Sequence, residues 1–250
     1  MKRLILIAFA LLSALCSCSA SGPRQYTVKV VKEYPHDRGA YTQGLFFHDG
    51  VLYESTGQCG HTTFRKVNLE SGKPERKLEF GRKYFGEGSV ILDGQMYMLT
   101  WTNKVAFIYD AETLKYKKTC AYPREGWGLT TDGKSLIASD GSAFLYFMDK
   151  ELNVKKKVKV MNGERPVRFL NELEWIDGRI WANVYTTDMI VIINPDSGKV
   201  EGLVDCGGLL PAALRKPDTD VLNGIAVLDG RIFLTGKNWP RLYEVRLIEK

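Results

Sequence analysis

Phe85-Gly86-Glu87-Gly88-Ser89-Val90-Ile91-Leu92-Asp93-Gly94 sets the pattern of this chain: a carboxylate between two glycines, a short apolar run, then an Asp-Gly turn. Four other stretches take the same form. Gly44 to Gly50 leads into Val51-Leu52-Tyr53, Gly128 to Gly133 into Lys134-Ser135-Leu136, Leu173 to Gly178 into Arg179-Ile180-Trp181, and Gly224 to Gly230 into Arg231-Ile232-Phe233. The five turn aspartates, Asp49, Asp93, Asp132, Asp177 and Asp229, stand 44, 39, 45 and 52 residues apart. A period of about 40–50 residues with several short strands per unit is what a β-propeller blade requires. The expected fold is all-β, a five-bladed β-propeller.

Composition agrees with one such domain. The 250 residues are 44% hydrophobic and 26% charged, with 24 glycines and 11% aromatics, which suits strands and turns more than a helical bundle. The first 18 residues read as a lipoprotein-type export signal. Lys2-Arg3 precede an apolar stretch from Leu4 to Leu15 that is too short to span a bilayer, and Leu15-Cys16-Ser17-Cys18 places Cys18 as the residue to be acylated. A plain secretory signal cut near Ala20 is the alternative. Residues 19–25 form a short linker and 26–250 the propeller domain, so the expected product is an exported, periplasmic or cell-surface lipoprotein. It would meet the membrane only through lipid on Cys18, and a monomer is expected. Cys59, Cys120 and Cys206 remain, an odd number compatible with one bridge or three free thiols. The net charge of +6 is modest, and the basic run Lys155 to Lys159 alternates with valines as the solvated face of an edge strand. No nucleic-acid site is expected, because interleaved aromatics and a denser basic patch are lacking.

The chain opens with a strand over 26–33 that belongs to no repeat, while the last unit has strands over 225–228, 231–235 and 242–248 and then stops. That unit is one strand short. The N-terminal strand is therefore expected to complete the last blade, close the ring and leave no open edge. First strands are predicted over 45–48, 90–92, 129–131, 173–176 and 225–228. The irregular insertion 207–220, with Pro211 and Pro217, is expected as a short helix and a lid over one face.

First strands of propeller blades line the central channel, so residues entering them on one face converge. Counting back six positions from each turn aspartate gives Gln43, Glu87, Gly126, Asn171 and Asn223, with Trp127 the better occupant in the shorter third unit. Such a ring packs a core poorly. It suits a small polar molecule. Thr100-Trp101, Ser139-Asp140, Asn183 and Thr235-Gly236-Lys237-Asn238-Trp239 add to the rim from the second strands.

Tyr41-Thr42-Gln43-Gly44-Leu45, Tyr53-Glu54-Ser55-Thr56-Gly57, Phe85-Gly86-Glu87-Gly88, Leu99-Thr100-Trp101, Glu125-Gly126-Trp127-Gly128-Leu129-Thr130, Ser139-Asp140-Gly141-Ser142, Leu170-Asn171-Glu172-Leu173-Glu174, Leu222-Asn223-Gly224-Ile225-Ala226 and Thr235-Gly236-Lys237-Asn238-Trp239-Pro240 together resemble the plant and bacterial type of glutaminyl-peptide cyclotransferase. The resemblance runs in order from about Tyr26 to the C-terminus. It implies a five-bladed propeller unrelated in fold to the zinc-dependent animal enzymes, turning N-terminal glutamine into pyroglutamate with release of ammonia and without a catalytic metal or other cofactor. Peptides or free glutamine are the implied substrates. Tyr41 departs from the phenylalanine expected in the opening motif.

Cyclisation joins the substrate's own α-amine to its own side-chain carbonyl, so proton transfer is what a protein must supply. Glu87 is the candidate acid and base, its glycine neighbours allowing close approach and an apolar setting raising its pKa. Lys237, Asn171 or Gln43 would donate to the developing oxyanion. Trp101, Trp127 and Trp239, with Tyr41, Phe85 and Asn223, would shape the substrate pocket.

Each residue also has a plainer reading. Glu87 pairs with Arg82 or Lys83, Asn171 and Asn223 bond their own turns, and Trp101 and Trp127 pack between blades. Trp175 and Trp181 read as core, and Glu54, Glu125, Glu172, Glu174 and Asp140 as structural partners between blades. The histidines His36, His48 and His61 are too scattered for a metal site. Two other functions fit a propeller: a non-catalytic module binding peptides or sugars, and a lactonase-like hydrolase, which would need several channel carboxylates or histidines around calcium.

Overall fold

The structure, a computed structural model, describes residues 22–250. The stretch expected to be an export signal, with Cys18, lies outside them. Apart from one 3-10 turn at Ala212–Leu214, every described element is a strand, beginning with β1 (Arg24–Pro35). Three four-stranded antiparallel sheets follow in chain order. They are β2 (Thr42–His48), β3 (Val51–Thr56), β4 (Thr63–Val67) and β5 (Pro74–Glu79); β6 (Gly86–Leu92), β7 (Gln95–Thr100), β8 (Val105–Asp110) and β9 (Tyr116–Ala121); and β10 (Leu129–Thr131), β11 (Leu136–Ala138), β12 (Phe144–Met148) and β13 (Val154–Lys159).

A two-stranded hairpin of β14 (Met161–Asn162) and β15 (Arg165–Pro166) precedes β16 (Leu170–Ile176), β17 (Arg179–Val184), β18 (Met189–Ile193) and β19 (Val200–Asp205). The chain ends with β20 (Leu222–Leu228), β21 (Arg231–Gly236) and β22 (Arg241–Glu249). These last seven strands form one eight-stranded sheet with β1, which pairs in parallel with β19 and antiparallel with β22. Both partners would otherwise present open edges.

Burial runs inside out across each sheet. All seven residues of β6 are buried, whereas β9 and β13, its counterparts at the outer edge, expose nearly every residue. The first strands pack on one another, β2 against β6 and β20, and β10 against β6 and β16. The arrangement is propeller-like, with apolar clusters wedged between neighbouring sheets. Trp181 is buried and Trp175 half-buried within these clusters.

Local sequence explains the turns. At Asp49-Gly50, Asp93-Gly94, Asp177-Gly178 and Asp229-Gly230 both residues have positive φ, the aspartates at 48–49°. The flanking residues pair directly, His48 with Val51 and Leu92 with Gln95. Two-residue loops with both φ values positive match the right-handed twist of the strands. The third sheet differs: Thr131 pairs with Leu136, and Asp132 instead accepts bonds from the amides of Lys134 and Ser135.

Four first strands begin earlier than the sequence predicts, at Thr42, Gly86, Leu170 and Leu222. In each, the ladder shifts register near its start, between Thr42 and Gly44, Gly86 and Ser89, Leu170 and Leu173, and Leu222 and Ile225. These β-bulges break the alternation from which strand starts are read.

The insertion between β19 and β20 is fastened down. Leu209 and Leu210 are buried in the core, the guanidinium of Arg38 donates to Leu214 O, and the Trp239 indole donates to Asp220 O. A free-standing lid is not what these contacts make. The three cysteines are free thiols, Cys59 exposed and Cys206 buried, with burial pushing the Cys206 thiol up to about 12.

Candidate active site

The bulges set the site. Gln43, Glu87, Asn171 and Asn223 each lie within a register shift, where an extra residue re-aims its side chain out of the sheet's alternation. The residue after Glu87 is Gly88, and a Cβ there would collide with the backbone of Gly128 and Leu129 in the next sheet. Glycine thus lets the two first strands touch, and Gly88 N donates to Trp127 O at 2.7 Å. From behind, the Ser55 hydroxyl donates to Glu87 O at 2.8 Å and is itself bonded by Ser89 Oγ.

One pocket of about 190 Å³ collects Tyr41, Gln43, Phe85, Glu87, Trp101, Trp127, Asn171, Tyr185 and Lys237. It is smaller than the roughly 300–1,000 Å³ of drug-sized sites, so it has room for about one residue. Its walls are aromatic. Tyr41 meets Phe85 edge-on, Phe85 meets Trp101, and Trp127 meets Tyr185.

The polar groups are few and poorly satisfied by the protein itself. Glu87 is 5% exposed, and among the described residues no side chain hydrogen-bonds its carboxylate. Burial holds it well above the ordinary 4.5; the positive charge of Lys237 opposes that shift and the negative charge of Glu125 adds to it. Lys237 is equally enclosed, its Nζ 4.8 Å from the Tyr41 ring centroid and 4.9 Å from that of Tyr185. Burial lowers its pKa from 10.5, against the pull of Glu87 and Asp220. The buried Asn171 Oδ1 has no partner among the described residues. Gln43 Oε1 accepts from Asn223 Nδ2 at 3.2 Å, which leaves the Gln43 NH₂ for the pocket.

Two residues expected at the pocket sit elsewhere. Asn223 is fully buried behind Gln43 and donates also to Thr42 O, so it orients the wall without lining it. Trp239 belongs to the core, 1% exposed against Tyr243 with its indole N–H on Asp220 O. The reason is a reversal at Asn238, whose φ of 60° turns the chain so that Lys237 faces the pocket and Trp239 faces away.

Three contributors were not singled out as site residues by the sequence reading. Tyr185 follows β17 and supplies a wall. Glu125 Oε2 accepts the indole N–H of both Trp101 (2.8 Å) and Trp127 (3.2 Å). Asp220 Oδ2 accepts the Tyr41 hydroxyl at 2.7 Å, which together with burial raises the Tyr41 pKa. The tyrosine at position 41 therefore makes a bond that phenylalanine could not.

Asp140, expected as a partner between sheets, instead accepts from Ser142 N and Oγ in its own loop, whereas Glu172 and Glu174 do tie sheets together. Glu172 accepts from Leu45 N and Ile225 N, and Glu174 from Val227 N and the Thr130 hydroxyl. Asn183 accepts from Gly224 N. Among the described residues no group of three or more His, Cys, Asp or Glu gathers to hold a metal ion. What the pocket can do is enclose a small polar group between aromatic walls, donate to it from amides and an ammonium, and exchange a proton through a carboxylate of raised pKa.

Comparison with known proteins follows the same line. The family model described as glutamine cyclotransferase matches residues 3–247. Over 227 residues the chain is 41% identical to a glutaminyl-peptide cyclotransferase of Arabidopsis thaliana, covering 88% of this chain and 71% of that protein. A solved structure, the glutaminyl cyclase of Myxococcus xanthus, superposes with a TM-score of 0.83 at 37% identity, over 91% of this chain and 99% of that one.

Proposed function

The chain belongs to the glutamine cyclotransferase family, and we infer that it performs that family's reaction in the pocket just described. It closes the N-terminal glutamine of a peptide to pyroglutamate and releases ammonia. The α-amine attacks the side-chain amide carbon, a C–N bond forms, the bond to the amide nitrogen breaks, and a proton passes from the attacking to the departing nitrogen.

Glu87 is our candidate to carry that proton. A carboxyl whose pKa is raised toward working pH both accepts from the amine and returns the proton to the leaving group. The Gln43 NH₂, Asn171 and the Lys237 ammonium would receive the negative charge growing on the carbonyl oxygen. Tyr41, Phe85, Trp101, Trp127 and Tyr185 would exclude water around it. The single observation that carries this reading is the Glu87 carboxyl buried in the pocket with no hydrogen-bonding partner among the described residues. Glu87→Gln should lower kcat for ammonia release from a Gln-initiated peptide by about 10²- to 10⁴-fold, the usual range for a lost acid/base. Normal turnover by that variant would remove Glu87 from the role.

The five-bladed reading of the fold is part of the same proposal. It is supported by the three strands that follow each of β2, β6, β10 and β16 in its sheet, by β20 packing on β2, and by β1 supplying the strand that β20, β21 and β22 lack. We also hold to a lipid anchor on Cys18 of an exported monomer, from the Leu15-Cys16-Ser17-Cys18 run. Loss of membrane fractionation in Cys18→Ser, with the folded domain recovered in solution, is the expected result.

A further inference from the structure

Seven large apolar side chains are exposed among the described residues: Val30, Val31, Trp101, Tyr116, Val154, Phe169 and Ile248. Five of them lie on β1, β9, β13 and β22, none of which is a first strand that contributes to the pocket. The other two are Trp101, which lines the pocket, and Phe169, which is 54% exposed.

Phe169 stands two residues before Asn171, with φ of 61°. A bulky residue rarely adopts this left-handed conformation, so the surroundings must impose it. They do so through the pocket walls themselves. Phe169 N donates to Gly141 O, and Gly141 packs against the Trp127 indole; Tyr185 N donates to Phe169 O, and the Tyr185 ring meets Trp127 edge-on. An unpaired aromatic face is thus fixed where the walls formed by Trp127, Asn171 and Tyr185 come to the surface. Because the pocket has room for about one residue, whatever follows the glutamine of a peptide must lie outside it, on this rim.

We propose that Phe169 is a specificity-determining residue that receives an apolar or aromatic side chain at the second position of the substrate peptide. This rests on the reaction assigned above, and the substrates named here separate the two. Glutamine amide has no second side chain, so its turnover tests the reaction; the ratio of Gln-Phe to Gln-Ala turnover tests the subsite.

The wild-type chain is expected to use Gln-Phe better than Gln-Ala. Phe169→Asn keeps a residue that tolerates positive φ and removes the apolar face; kcat/KM for Gln-Phe should fall about tenfold, mostly through KM, while glutamine amide changes less than about twofold. Phe169→Tyr should restore the preference. An unaltered Gln-Phe to Gln-Ala ratio in Phe169→Asn, or an equal fall with all three substrates, would overturn the subsite and leave the reaction standing. Failure of the wild-type chain to release ammonia from glutamine amide would overturn both.

Discussion

A single oxygen, Oε2 of Glu125, accepts two indole N–H groups from opposite sides of a sheet boundary. Its carboxylate also adds negative charge near Glu87 and so helps keep that acid protonated. The two effects are separable. In Glu125→Gln the amide oxygen still accepts hydrogen bonds, but the charge is gone. Glu87 should then ionise more readily, and the acid limb of the kcat–pH profile should move to lower pH with KM little changed. In Glu125→Ala both tryptophans lose their partner, and KM should rise as well. A limb that stays in place in Glu125→Gln would mean that Glu125 acts on the walls alone. In the wild-type chain both limbs are drawn inward, the acid one above 4.5 because burial raises Glu87 and the alkaline one below 10.5 because burial lowers Lys237.

At the scale of strands, the bulge does what alternation cannot: it takes Gln43, Glu87 and Asn171 out of register and turns them into one cavity. The Asp-Gly turns made the repeat legible, because their positive φ values restrict which residues can stand there. Counting back from them reaches Gln43, Glu87 and Asn171, which the structure brings into one pocket, although the predicted strand starts fall three or four residues late. What could not be read was orientation. Nothing in Thr235-Gly236-Lys237-Asn238-Trp239 announces that Asn238 reverses the chain, and Tyr185 carries no neighbouring glycine or turn signal to distinguish it from an ordinary aromatic. Asn223 is a case in point, since its side chain bonds Gln43 instead of lining the pocket. Asn223→Ala should free the Gln43 amide to rotate and lower kcat/KM by about 10- to 100-fold, the usual effect of small misplacements, without the loss of fold expected from a core cavity. Between strands, Glu174 is held at about 8 by burial while accepting from β20 and β10. A carboxyl raised on folding stabilises most below its unfolded value of about 4.3, and that contribution fades as pH climbs to about 8, by up to about 1.4 kcal/mol per pH unit. Glu174→Gln, neutral at every pH, should lack this decline; urea midpoints at pH 5 and pH 8 that fall equally in both chains would show that another group is responsible.

For the molecule as a whole the critical place is where the first described strand meets the last. β1 fills the gap between β19 and β22, and just beyond it His36 N donates to Pro240 O. Both nitrogens of the His36 ring face acceptors: Nδ1 is 2.7 Å from Trp239 O and Nε2 is 3.0 Å from Glu54 Oε1. Two acceptors require two N–H donors, which only the imidazolium has. Burial works against that charge, but Glu54 outweighs it and the His36 pKa rises above 6.5. Glu54 in turn is lowered despite its burial, by His36 first, with Arg65 Nε 3.7 Å away and the Thr42 hydroxyl donating to it. Arg65 also pairs with Asp37 at 2.7 Å. The sign follows from the raised pKa: the stabilisation is full below 6.5 and is lost as pH rises through the folded value of His36. Removing one partner of a buried pair leaves the other charge stranded, at a cost of about 3–5 kcal/mol. Arg65 softens that for Glu54, so His36→Gln should fall toward the lower figure. The loss should be largest below pH 6.5 and shrink as pH rises through the folded value of His36. Urea unfolding of both chains over a pH series that starts at pH 6 and runs to the alkaline limit of the fold measures it; a difference that is the same at every pH would mean that the His36–Glu54 ion pair does not hold this joint together.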